Sequence, residues 1–118
     1  IEICDLLTPG RQFICVKKMR SSATLSHLFA QGSVSATLLK RSAAYQQRVT
    51  ELASQKWPAM TFEGSSASEA VFVFAIPTEK DGSLSSCMFF FSLVNLLEHA
   101  RTIELAGFKV ALCKINYA

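Results

Sequence analysis

The sequence predicts an α/β domain whose mixed sheet has about four or more strands flanked by helices. Three observations carry this. Two apolar runs around Pro9-Gly10 open the chain as a β-hairpin. Helical spacing then holds from about residue 22 to residue 55. A strand–helix–strand pattern closes the chain, and such a unit implies a right-handed crossover between parallel strands.

The 118 residues are half hydrophobic and 18% charged, which is one globular domain, 1–118, with material for a core. The chain starts at Ile1 and enters a strand-like run at once, so it reads as a piece of a longer protein. No signal peptide is visible, and the longest apolar run, residues 87–91, is far too short to cross a bilayer. A cytoplasmic protein without a membrane partner is expected. The net charge of +3 is compatible with a polyanion but lacks the dense Lys/Arg stripe that announces one. Cys4, Cys15, Cys87 and Cys113 are scattered singly in apolar segments, without zinc spacing, and read as buried free thiols.

In the hairpin both runs are apolar on both faces, which predicts strands covered on two sides. A two-residue Pro-Gly turn would set Glu2 opposite Lys17 and Cys4 opposite Cys15, and would turn Asp5 to the other face. A bulge or longer loop would bring Asp5 and Lys17 to one side. Ser21 or Ser22 caps a first helix carrying Leu25, Leu28 and Phe29, with Gly32 past its end. A second helix starts at Ser33 or Ser35 and runs to about Gln55, with a break near Ser42 and with Lys40, Arg41 and Arg48 on its polar side. Trp57-Pro58 ends it, residues 63–68 form a loop, and residues 71–76 form a strand buried on both faces. After a second loop, Ser92 caps a helix that turns Leu93, Leu96, Leu97, Ala100 and Ile103 to the core. Its Asn95, Glu98, His99 and Arg101 make the solvent side, and Phe89, Phe90 and Phe91 read as core and partner interface. Residues 108–115 are the last strand.

Two charges stand inside the opening hairpin. A half-buried charge is costly unless it is paired or binds something, which makes Asp5 and Lys17 the candidate site residues. Lys17, Lys18 and Arg20 form a small basic cluster beyond the second strand.

An acid in the first hairpin strand and a lysine late in the second, followed by helix, strand, helix and strand, resembles the restriction-endonuclease-like (PD-(D/E)xK) nuclease core. That resemblance implies Asp5 as metal carboxylate, Glu2 as a further metal acid, Lys17 as catalytic lysine and Mg²⁺ as cofactor for phosphodiester hydrolysis. It departs at Cys15, where the superfamily has an acid or Gln, because a thiol is a poor Mg²⁺ ligand. It also implies that the helix after the lysine flanks the site, so that His27 contacts phosphate together with Lys18 and Arg20. Read from the residues alone, His27 is a partly buried helix side chain without a visible partner.

The stretches EICDLL, VKK, SSATLSHLFAQGSVSATLL and FFSLVNL are similar to an uncharacterised bacterial family known only as "sporadically distributed protein". This implies the C-terminal part of a longer chain, in a setting that suits phage defence or mobile elements. The expectation is therefore a nuclease-like, nucleic-acid-processing domain. The alternative is a catalytically inactive module binding nucleic acid, another protein or the remainder of its parent chain. The apolar composition adds a homodimer to the expected partners. No phosphate-binding glycine loop of the P-loop or dinucleotide type is present.

Overall fold

The computed structural model describes residues 4–18, 22–79, 82–84 and 88–116. Glu2, Arg20, Ser21 and Cys87 lie outside them. The elements run β1 (Leu6–Leu7), β2 (Gln12–Val16), α1 (Ser22–Arg41), α2 (Ala43–Ser54), a 3₁₀ turn (Gly64–Glu69), β3 (Val71–Thr78), α3 (Phe90–Leu105) and β4 (Lys109–Asn116). The sheet order is β1-β2-β3-β4, antiparallel between β1 and β2 and parallel thereafter. The fold class is α/β with a mixed four-stranded sheet.

Pairing of Phe13 with Phe72 and of Cys15 with Phe74 puts these side chains on one sheet face, and all four are buried. The helices lie on that face. Phe29 of α1 packs edge-on against Phe74, with ring centroids 5.2 Å apart, and Phe13 sits 5.1 Å from Phe62. The opposite face carries Ile14, Val16, Val71 and Val73, all half-buried, with exposed Leu6, Ala111 and Cys113, and no described helix packs on it. Covering on two sides, expected for the hairpin, is thus seen on one. Both parallel connections return their helices to the same face, which leaves a two-layer sandwich.

The first two helices also divide differently from expectation. Gly32 does not stop α1, which continues to Arg41. A β-carbon built at Gly32 would stand 2.5 Å from Cζ of Phe74, so this glycine is where helix and sheet touch. The break falls at Ser42, which is extended (φ −103°, ψ 111°) and whose Oγ accepts the Tyr45 N–H at 3.1 Å, capping α2.

In α3, Ser92 does not cap. The helix starts at Phe90 and Ser92 is fully buried. The Asn95 side-chain amide donates to Ser26 Oγ of α1 at 2.6 Å, which rotates Asn95 inward and leaves Leu97 63% exposed. Phe90 and Phe91 are 72% and 75% exposed and form no part of the core.

Candidate functional site: a cleft between the hairpin and α2

The hairpin loop has three residues. Thr8 C=O accepts from Arg11 N–H at 3.0 Å, Arg11 takes a positive φ of 62°, and Thr8 N–H donates to Gln12 C=O at 3.2 Å. A turn followed by one left-handed residue is the common three-residue hairpin connection. It sets Leu6 opposite Ile14 and Leu7 opposite Phe13. This is one residue off the two-residue register. Beyond Leu6 the ladder is not continued regularly: the Asp5 N–H, which would point away from β2 in that register, turns to Ile14 C=O, and Cys4 packs against the core on the helix side. No disulfide joins Cys4 and Cys15, Cys15 being buried and Cys4 half-buried, while Cys113 is exposed against expectation because β4 is an outer strand.

Asp5 has a defined structural task. Lys17 N–H donates to Ala75 C=O of β3 at 3.2 Å, so the alternating Val16 N–H points to β1. There the Asp5 carboxylate accepts it at 2.7 Å, while the Asp5 amide donates to Ile14 C=O at 3.0 Å. The side chain takes the place of the next main-chain carbonyl and closes the hairpin. Lys17 and Lys18 are exposed beyond this point, and no ion pair among the described residues joins Asp5 to Lys17. His27 is exposed on α1. The structure therefore brings Asp5 and Lys17 to one end of the hairpin, with no ion pair between them.

These donors do not by themselves fit Mg²⁺. Asp5 is the one described carboxylate of the hairpin, and one of its oxygens serves Val16. The aligned Cys15 is a buried thiol, and a hard cation wants several oxygen ligands. No cluster of three or more His, Cys, Asp or Glu side chains able to hold a metal forms among the described residues.

The cavity lies one layer away. A cleft of about 720 Å³ opens between the hairpin and α2. Cys4, Asp5, Leu7 and Phe13 form one wall, and Tyr45, Arg48, Val49, Leu52, Ala53, Lys56 and Trp57 the other. Tyr45, Val49, Leu52 and Ala53 recur at helical spacing, which turns one stripe of α2 to the hairpin, and Lys56 and Trp57 follow just past its end. Arg48 and Lys56 are exposed at the rim, and Lys56 Nζ lies 5.7 Å from the Trp57 ring centroid. Neither cation is ion-paired among the described residues. Arg11 is otherwise engaged. It pairs with Glu69 at 3.3 Å, covers the Phe62 ring and donates to Thr61 C=O.

Deep in the cleft the Tyr45 hydroxyl is buried without a hydrogen bond of good geometry. Burial pushes its phenol above the usual range near 10, the nearby Ser35 hydroxyl opposes part of this, and the Cys4 and Cys15 thiols add to it. Trp57 and Lys56 were not among the residues the sequence singled out for binding. The signal was present in the apolar stripe of α2 with basic neighbours and a tryptophan at its end. What the stripe faces depends on the hairpin, some forty residues away.

The chain belongs to a family of unknown function (DUF6119), whose model matches residues 1–116. This agrees with the expected membership of an uncharacterised family. No curated protein and no solved structure matches the chain. No helix among the described residues is long and apolar enough to cross a membrane.

Proposed function

We propose that this member of the family binds nucleic acid in the cleft between hairpin and α2, with an unpaired base against Trp57 and Tyr45 and the adjoining phosphates at Arg48 and Lys56. The observation that carries the reading is the coincidence, in one cleft, of aromatic walls with two cations that have no carboxylate partner among the described residues. Base–aromatic stacking contributes about 1–3 kcal/mol per base and tolerates any sequence. Lys17 and Lys18 follow directly on Val16, the partner of Asp5 at the cleft edge, and extend the basic rim.

A second reading, phosphodiester hydrolysis, is favoured by one observation: Asp5 stands at the end of the hairpin where it holds the N–H of Val16, the residue before Lys17. Binding and cleavage separate in one experiment. Labelled single-stranded and duplex DNA and RNA are titrated with the protein at several salt concentrations, and the same strands are incubated with Mg²⁺ or Mn²⁺. Single strands are expected to bind better than duplex, with affinity falling as salt rises. Replacing both Arg48 and Lys56 by Ala is expected to weaken binding at least tenfold. Binding that ignores these substitutions, or no binding at all, contradicts the cleft. Cleavage abolished by EDTA and by Lys17→Ala would put hydrolysis first.

A further inference from the structure

β4 forms one border of the sheet, and its far side pairs with no described strand. Its register with β3 is unbroken over eight residues, and β4 itself contains no proline. Proteins usually protect such an edge, because its free N–H and C=O groups invite another strand. Above it on the helix side, Leu112 is left exposed. Beside it α3 carries exposed Phe90, Val94, Leu97 and Leu105 along one stripe, with the exposed Arg101 between Leu97 and Leu105. The stripe points away from α1. Asn95 faces Ser26 of α1, and Leu97, two residues on, lies about 200° round the helix from it.

We propose that this border joins two copies of the chain around a twofold axis, with β4 pairing antiparallel to its counterpart and α3 packing on α3. The heights agree. From Lys109 to Cys113 the strand advances roughly 13 Å, and from Leu105 back to Leu97 the helix advances about 12 Å. One axis perpendicular to the sheet at Cys113 therefore passes α3 near Leu97. It sets Cys113 opposite Cys113 of the second copy and Lys114 opposite Leu112, so that Lys114 does not oppose itself. Leu97 meets Leu97, and Phe90 approaches Leu105.

A second copy fits because the occupant must bring an unpaired strand edge and, at the same height, an apolar helix. A self-complementary surface does this under a twofold. The five apolar side chains named here expose on the order of 500 Å², and the strand edge brings the total toward the ~800 Å² per partner of a stable interface.

The test is sedimentation of the whole chain over a range of concentrations, with Leu97→Glu beside the wild type. Leu97 is exposed, so circular dichroism of the variant should match the wild type. A dimer is expected, with its dissociation constant raised at least tenfold by Leu97→Glu. A short bismaleimide should link Cys113 to Cys113, and the link should vanish in Cys113→Ser. A monomer at every concentration, or a dimer indifferent to Leu97→Glu, overturns the proposal. A dimer sensitive to Leu97→Glu in which Cys113 does not link overturns the shared strand edge.

Discussion

Asp5 and Tyr45 show how single side chains at the cleft answer to different forces. The Asp5 carboxylate accepts the Val16 N–H at 2.7 Å, a task that an uncharged amide oxygen can also perform. Asp5→Asn is expected to keep both stability and binding, whereas Asp5→Ala should lose about 1 kcal/mol in urea unfolding. If Asp5→Asn abolished a metal-dependent activity while leaving stability intact, Asp5 would be a ligand instead. For Tyr45 the sign follows from burial, which raises the phenol pKa in the fold above its unfolded value near 10. The native chain then holds this proton more tightly than the unfolded chain, so stability falls as pH rises past about 10 and is unaffected below. Tyr45→Phe lacks the ionisable group, and its advantage over wild type in urea midpoint should grow between pH 9 and 11. A constant difference would contradict the burial. The sequence marked Asp5 as a charge in need of a partner, which it has. That the partner is a backbone N–H was not legible, because it depends on a register one residue away from the simplest turn.

At the scale of elements, Gly32 and the hairpin loop decide the layout. Pattern reading takes a glycine before serines as a helix stop, since both are local signals. Tertiary contact overrides them here, with Phe74 packed where a β-carbon would stand. Gly→Ala inside a helix ordinarily stabilises by roughly 0.5–1 kcal/mol. Gly32→Ala should instead destabilise by about 1–3 kcal/mol, because Phe74 lies under the sheet-facing side of α1 and must move. Thermal or urea unfolding reads the sign directly, and a stabilised variant would show that Phe74 moves freely. The break at Ser42 was visible in the sequence, because a serine followed by a fresh helical stripe is a cap by its own chemistry. The exposure of Leu97 was not, since it follows from the bond between Asn95 and Ser26.

Over the whole molecule, the order of strands and helices was legible because each segment carries its own period. The parallel pairing of β3 with β4 followed from the helix between them. Coverage of the sheet was not legible. A strand lined with Val and Ile reads alike whether its second face meets a helix of its own chain or lies open, as that of β2 does. The cleft escaped for the same reason, being assembled from residues 4–13 and 45–57, which no local pattern connects. Its position also supplies a reporter, since Trp57 is the single tryptophan of the chain. The most direct measurement is Trp57 fluorescence during titration with a single-stranded oligonucleotide at low and at raised salt. Quenching that saturates, shifts to higher concentration with salt and disappears when Arg48 and Lys56 are both Ala is the expected result. Unchanged Trp57 emission while the oligonucleotide binds would place it elsewhere on the molecule and contradict the cleft.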